Sequence, residues 1–146
     1  MKLISHRGNI NGIHEDKENT CDYIIEAIEK NYDVEIDVWF KSGELFLGHD
    51  SPKEKIKLFF LKTNKNKLWI HCKNIEALGY LKDEYNCFFH DSDDAVLTSK
   101  NFIWTFSGKK ITNKSIAVLP EKCNYSEKEL NKCVGICSDY ILKYST

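Results

Sequence analysis

The chain has 146 residues, of which 42% are hydrophobic and 29% are charged, and its formal net charge is −1. This length fits a single compact domain over residues 1–146, and the mixed composition excludes a disordered chain. The near-neutral charge predicts no partnership with nucleic acid and no general attraction to anionic membranes, so an anionic ligand must be held by local groups.

Several features of the composition concern location and chemistry. The sequence has no apolar run near the roughly 20 residues of a membrane span, and its N-terminus has no signal-peptide pattern, so we expect a cytoplasmic protein without stable membrane insertion. Six cysteines without framework spacing predict reduced, structural thiols. Arginine occurs once, at Arg7, against 20 lysines, which indicates a contact to carboxylate or phosphate that needs a guanidinium.

The first part of the chain predicts a βαβ unit. Residues 1–5 form a short apolar strand, a polar loop follows, and Asn19 or Thr20 can cap a helix that ends near Asn31. The next strand begins at Asp33. Because the connection is short, we expect the two strands to be parallel and adjacent.

This second strand carries the centre of the predicted site. Its apolar and polar residues alternate, so Glu35 and Asp37 share one face, about 7 Å apart by the roughly 3.3 Å rise per residue. Two carboxylates this close repel each other unless a cation or a proton lies between them. A second apolar run at residues 45–47 ends at His49, which brings an imidazole to the same region.

The remaining elements follow a repeated order of strand, polar residue and helix start. Ser51 and Glu54 have the spacing of a capping box, with proline at the first helical position, so we expect a helix directly after Asp50. Asn74 and Ser126 are expected to cap two further helices. Strands are expected at residues 68–70, 87–89, 102–106, 116–119 and 134–137, with a short element at residues 96–97.

Four of the five histidines, His6, His49, His71 and His90, directly follow an apolar run. Because parallel strands end at the same face of the fold, we expect these side chains to converge there. Lys73 follows by two residues on the same face as His71. A divalent cation beside imidazoles and basic side chains suits phosphoryl transfer, since charge is neutralised and protons are moved at one point.

Four short motifs extend this interpretation. In chain order they are Ile4-Ser5-His6-Arg7-Gly8, Glu18-Asn19-Thr20, Glu35-Ile36-Asp37-Val38 and Gly48-His49-Asp50. They resemble the motif series of the glycerophosphodiester phosphodiesterase family, within the phosphatidylinositol-phospholipase-C-like superfamily. The match covers residues 3–50. Beyond it, residues 68–73 stand where the family has a strand ending Glu-x-Lys, and residues 135–140 are similar to its closing strand motif.

The resemblance implies a metal-dependent phosphodiesterase with α/β architecture, a shortened TIM-type (β/α) barrel of mostly parallel strands. The substrate would be a small phosphodiester with a glycerol-based or phospholipid-like alcohol. The implied roles are His6 and His49 as the acid and base, Arg7 and Lys73 at the phosphate, Glu35 and Asp37 as metal ligands with His71 at the third ligand position, and Glu18 as a residue that orients the site. Apart from the resemblance, we expect Glu18, His90 at its strand end and the aromatic Trp104 to contact the substrate.

The metal and the size of the chain set this sequence apart from the family. The third ligand position, normally an acid, holds His71; oxygen ligands favour Mg²⁺, Ca²⁺ or Mn²⁺, whereas an imidazole shifts the preference toward Mn²⁺ or Zn²⁺. A usual (β/α)₈ barrel has roughly 250 residues, so we expect several helices, and up to one strand, to be missing. Short connections between Asp91 and Ser115 would expose apolar surface, which a homodimer would cover.

Two other functions fit the same residues. In a zinc hydrolase, the four strand-end histidines would bind the metal and Glu35 or Asp37 would activate water. In a non-catalytic module, the pocket would bind phosphate or a sugar phosphate without turnover. The aromatic residues Trp39, Trp104 and Tyr140 either line a pocket for an apolar or sugar group or belong to the core.

Overall fold

The computed structural model describes residues 1–145 and contains ten strands and four α-helices over that range. The strands are β1 (Lys2–His6), β2 (Asp33–Lys41), β3 (Glu44–Leu47), β4 (Glu54–Ile56), β5 (Leu68–Cys72), β6 (Cys87–Phe88), β7 (Ala95–Leu97), β8 (Ile103–Thr105), β9 (Ser115–Val118) and β10 (Gly135–Ser138). The helices are α1 (Cys21–Glu29), α2 (Leu58–Asn64), α3 (Ile75–Leu81) and α4 (Glu127–Leu130), with 3₁₀ turns at Lys65–Lys67, Pro120–Lys122 and Ile141–Tyr144.

Eight strands form a curled sheet, a partial barrel, in the order β6-β5-β2-β1-β10-β9-β8-β7. Six of the nine strand pairs among the described residues are parallel, and β1 lies beside β2 as the short connection predicts. The strands β3 and β4 extend the second half of β2 as an antiparallel hairpin. The mixed α/β class with mostly parallel strands is therefore confirmed.

The alternation along each strand divides the core into an outer and an inner layer. On the outer face, Val34, Ile36 and Val38 of β2 pack with Ala27 of α1 and Ala77 of α3. The inner face is filled by large aromatic side chains, with Trp69 and Trp104 stacked at 5.7 Å between ring centroids. Because β2 has its apolar residues outside, Glu35 and Asp37 point into the concave side of the sheet.

The predicted helix directly after Asp50 is wrong. Glu54 begins the strand β4 instead, and its carboxylate accepts hydrogen bonds from the backbone N–H of Cys21 at the start of α1. The alternation of Lys55, Ile56 and Lys57 places Ile56 in the core opposite β3, and this burial outweighs the capping pattern. The helix α2 begins only after Lys57.

The other predicted caps hold. The Thr20 side chain accepts from the Tyr23 N–H at the start of α1, and Asn74 accepts from Ala77 at the start of α3. The Ser126 capping box is present, although its helix ends at Leu130. Between Asp91 and Ser115, a stretch described in full, two short strands are joined without a helix, as expected. Within residues 1–145, every helix is too short or too polar to cross a bilayer.

Candidate active site

The carboxyl ends of the parallel strands bring the predicted site residues together. The register pairs His6 at the end of β1 with Glu35 of β2, and it pairs Asp37 with His71 of β5. Asp139 directly follows β10, the other neighbour of β1. His6, Glu35 and Asp139 therefore lie at one level of the concave face, and Asp37 and His71 lie at the next level, two residues further along β2.

Glu35, Asp37 and His71 form a group in which one ligand atom from each lies within 4.8 Å of the others. The His71 Nδ1 is 3.0 Å from Asp37 Oδ1 and 4.0 Å from Glu35 Oε1. Among residues 1–145 this is the one such group of His, Cys, Asp and Glu side chains. Donor atoms around a divalent cation have similar separations, and two carboxylates with an imidazole suit Mg²⁺, Mn²⁺ or Zn²⁺.

Glu35 is the residue that most needs a cation. Its side chain is almost fully buried, and Oε2 has no hydrogen-bond partner among the described residues. Burial and the neighbouring Asp37 carboxylate raise the pKa of Glu35 to about 7. A buried carboxylate without a donor is costly, so a proton or a metal ion must compensate its charge.

Asp37 is ionised, in contrast. Burial alone would raise its pKa, but the adjacent imidazoles of His49 and His71 and the guanidinium of Arg7 lower that pKa well below its usual value. Asn19 holds both the side chain and the backbone of Asp37. Its Nδ2 donates to Asp37 Oδ2 at 2.8 Å, and its Oδ1 accepts from the Asp37 N–H at 2.9 Å.

Arg7, the single arginine, links three parts of the site. Its Nε is 3.1 Å from Asp37 Oδ2, its Nη1 donates to Glu18 Oε2 at 3.3 Å, and its Nη2 donates to His49 Nδ1 at 2.7 Å. The sequence predicted that the guanidinium contacts a carboxylate, and in the structure it contacts two, those of Asp37 and Glu18. Through Arg7, the first loop and the β3–β4 connection are tied to the carboxylate on β2.

His6 is held from the opposite side of the site. Its Nδ1 donates to Asp139 Oδ1 at 2.6 Å, and its Nε2 is 3.8 Å from Glu35 Oε2. Burial lowers the pKa of His6, but Asp139 and Glu35 more than offset this and raise it above 6.5. The Asp139 carboxylate also accepts from Asn9 Nδ2 at 2.9 Å.

Two adjoining hollows open at this end of the sheet, of about 230 and about 160 Å³, and both are bounded by Arg7 and His49. The larger one is also lined by Glu18. The smaller one is lined by His6, Glu35, His71, His90 and Trp104. Eight of the ten predicted site residues therefore border these hollows. The other two are Asp37, which contacts the lining residues Arg7 and His71, and Lys73, whose Nζ is 3.7 Å from Asp37 Oδ1.

His90 and Trp104 form an aromatic wall. His90 lies 4.7 Å from the His71 ring and 3.9 Å from the Phe106 ring. Burial and the nearby His71 lower the pKa of His90 to about 4, so its ring is neutral. Trp104 is 2% exposed and belongs to the inner core as well as to the wall. The linings of the two hollows do not include Trp39 or Tyr140.

Three polar residues that were not predicted as site residues prove to support the site: Asn9, Asn19 and Asp139. Asp139 follows the rule that polar residues after parallel strands face the site, so the sequence contained a signal for it. Asn9 lies in a loop without periodicity, and the tertiary structure alone gives its contacts to Glu18 and Asp139.

Comparison of the chain with protein-family models, with curated proteins and with solved structures gave no match. Its function is therefore argued from the site and from the motif resemblance.

Proposed function

We propose that this protein is a divalent-cation-dependent phosphodiester hydrolase acting on a small diester with a glycerol-type or phospholipid-like alcohol. The buried carboxylate of Glu35, without a hydrogen bond at Oε2 and within 4.8 Å of donor atoms of Asp37 and His71, is the observation that carries the proposal. The motifs over residues 3–50 and the curled, mostly parallel sheet support the diester substrate and a shortened TIM-type barrel.

Glu35, Asp37 and His71 would hold the cation, with His71 using its Nδ1 lone pair. A bound divalent cation supplies charge neutralisation for a non-bridging phosphate oxygen. Lys73 and Arg7 add positive charge beside the carboxylates. The mixed oxygen and nitrogen donor set makes Mn²⁺ the best match, with Mg²⁺, Ca²⁺ and Zn²⁺ to be compared.

The two flanking imidazoles have complementary tautomers. An ionised Asp139 only accepts, so His6 carries its proton on Nδ1 and a neutral ring offers a lone pair at Nε2. The His49 Nδ1 lies 2.7 Å from Arg7 Nη2, which can only donate, and 3.3 Å from Asp37 Oδ2, which can only accept. The shorter contact favours a neutral ring that accepts from Arg7 and carries its proton on Nε2. His6 is thus suited to act as the base and His49 as the acid.

In the proposed reaction, His6 Nε2 removes the proton from an attacking hydroxyl, either of water or of the substrate alcohol. A new P–O bond forms as the bond to the leaving alcohol breaks, and His49 Nε2 donates a proton to the leaving oxygen. Both imidazoles border the same smaller hollow, as this transfer requires.

The test is hydrolysis of bis(p-nitrophenyl) phosphate and glycerophosphodiesters by protein purified without chelators, stripped of metal and then supplied with Mn²⁺, Mg²⁺, Ca²⁺ or Zn²⁺. We expect metal-dependent turnover, with a loss of about 10²-fold or more in His6→Ala and His49→Ala. His14→Ala is the matched control, because His14 is exposed in the first loop outside both hollows.

Glu35→Gln should lower metal affinity measured by calorimetry, whereas Glu29→Gln, an exposed position at the end of α1, should not. Phosphate binding without turnover with any of the four metals would contradict the proposal and favour a binding module. Stoichiometric zinc that does not exchange would instead favour a zinc hydrolase.

A further inference from the structure

Positive charge is concentrated in one segment of this nearly neutral chain. Residues 53–67 contain six lysines and one acid, Glu54, within a sequence whose total formal charge is −1. The Glu54 carboxylate accepts hydrogen bonds from the Cys21 N–H at the start of α1 and does not pair with these lysines. Lys55, Lys65 and Lys67 pair with acids from other parts of the chain, whereas Lys53, Lys57 and Lys62 are in no ion pair among the described residues, so the segment keeps an excess of positive charge.

The exposed side chains of this segment form one surface. Along β4, Lys53, Lys55 and Lys57 are exposed while Ile56 is buried, so the three lysines share a face by the period of two. The strand is followed by Phe59 in the first turn of α2, which is 73% exposed. We call the surface of Lys53, Lys55, Lys57, Phe59 and Lys62 the lysine–phenylalanine face.

This face also contains an apolar groove. A hollow of about 390 Å³ lies between α1 and α2, lined by Ile25, Ile56 and Phe60 beside the exposed Phe59 ring. Lys55 is paired with Glu44 at 2.5 Å, but no ion pair involves Lys57 or Lys62 among the described residues. The apolar groove is thus bordered on its β4 and α2 side by ammonium groups, of which those of Lys57 and Lys62 are outside any ion pair within residues 1–145.

The face is continuous with the candidate active site. Phe40 of β2 pairs with Leu45 of β3, and Leu45 pairs with Ile56 of β4, so Ile56 lies two strands away from β2 at the level of Phe40. Phe40 is three residues beyond Asp37 along β2, about 10 Å at the strand rise. The β3–β4 hairpin therefore extends past the strand ends where the hollows open. Lys53 lines the larger hollow together with Arg7 and His49.

We propose that the lysine–phenylalanine face docks on an anionic phospholipid bilayer, with Phe59 entering the headgroup boundary and the lysines contacting lipid phosphates and carboxylates. Basic residues around an exposed aromatic ring are suited to such peripheral binding. A second copy is a poorer occupant, because a two-fold dimer through this face would set lysines against lysines. Docking would direct the hollows toward lipid headgroups.

Docking does not require catalysis, and only the delivery of lipid headgroups to the site rests on the proposed function. Sedimentation with vesicles tests it on the intact chain, using phosphatidylcholine alone or with about one-third phosphatidylserine, at about 0.1 M salt. We expect binding to the mixed vesicles to be at least tenfold stronger. Salt near 1 M should abolish the difference.

Two variants separate the charged and apolar contributions. Lys57→Ser with Lys62→Ser should weaken binding to the mixed vesicles about 25-fold, from about fivefold for each lysine. Phe59→Ala should weaken it about tenfold. The matched controls are Lys110→Ser with Lys114→Ser, exposed lysines on the β8–β9 connection, and Leu97→Ala, an exposed apolar residue on β7; these should bind as the wild type does.

Equal binding to neutral and anionic vesicles would overturn the proposal, as would unchanged binding by both test variants. A dimer in sedimentation equilibrium that Phe59→Ala dissociates would show that a second copy covers the face. Preference for nucleic acid over vesicles, in competition, would also overturn it. A loss of diester hydrolysis with intact vesicle binding would instead count against the proposed function alone.

Discussion

At the scale of single residues, the hydrogen bond between His6 and Asp139 fixes the direction in which a proton can move. Asp139 sits between His6 Nδ1 and Asn9 Nδ2, and its own N–H donates to Glu121 Oε1 at 2.8 Å. Two donors therefore hold Oδ1 of the carboxylate, and the third contact holds the Asp139 backbone. In the proposed mechanism the carboxylate would orient the imidazole and keep the lone pair at Nε2, without contact to substrate.

Replacement Asp139→Asn tests this positioning role. The amide cannot hold the His6 Nδ1–H in the same way, so we expect kcat to fall about 10²-fold or more. Since Asp139 raises the pKa of His6, the variant should lose activity at a lower pH than the wild type does as the base becomes protonated. A pH–rate profile measures both effects, with Asp83→Asn, an exposed acid, as the control. Identical profiles would exclude the role.

Site residues that lie on a strand could be predicted from the sequence. His6, Glu35, Asp37 and His71 all follow from alternation and from the convergence of parallel strand ends. Asn9 and Asn19 could not be found this way, since they lie in a loop and their hydrogen bonds span from the loop to other elements. The tautomers of His6 and His49 likewise depend on contacts that no local pattern encodes.

At the scale of elements, the β3–β4 hairpin is where local sequence and final structure differ. The capping pattern at Ser51 favours a helix through local contacts only. The strand conformation instead buries Ile56 against β3, and this burial decides the structure. Gly48 makes the turn into this connection possible: it has φ +147, and a Cβ there would overlap the carbonyl oxygen of Ser51. The same connection carries His49.

Gly48→Ala should therefore destabilise the protein by about 2 kcal/mol or more, through a positive φ and a backbone overlap together. Gly43→Ala is the matched control, because Gly43 has φ +78 but nothing within 4 Å of its added Cβ. Backbone strain alone predicts about 1 kcal/mol for that control. Urea unfolding of both variants measures the difference, and equal losses would mean that the overlap is relieved at no cost.

At the scale of the whole molecule, a chain of 146 residues forms eight strands of a curled sheet with few helices on its outer face. The helices α1 and α3 cover β2 and β5, while β7 and β8 have no helix between them. Leu97 of β7 is 62% exposed, and coverage of this region by a homodimer stays a prediction. The class of fold could be predicted from strand spacing; the hairpin extension could not.

Metal binding should affect the stability of the entire fold, because the ligands come from two strands at its centre. At about 100 times its Kd, Mn²⁺ should add about 2.7 kcal/mol to the free energy of unfolding. The pKa of Glu35 is about 7, so protons compete with metal below that pH and the gain should be larger at pH 8 than at pH 6.

Thermal unfolding with and without Mn²⁺ at both pH values measures this gain. Glu35→Gln should abolish it, and Glu29→Gln should retain it. A metal-induced rise in Tm that is the same at both pH values would contradict the assignment of Glu35 as a ligand.

The pairing of β1 with β10 has a consequence for how the protein is made. Lys2 to Ser5 align with Gly135 to Ser138, and His6 meets Asp139 across 133 positions of sequence. A nascent chain on the ribosome thus carries its first strand with one edge unpaired until nearly all residues have been synthesised. The arrangement of His6 and Asp139 would arise as a late event of biogenesis, and chains interrupted before Gly135 would be targets for quality control.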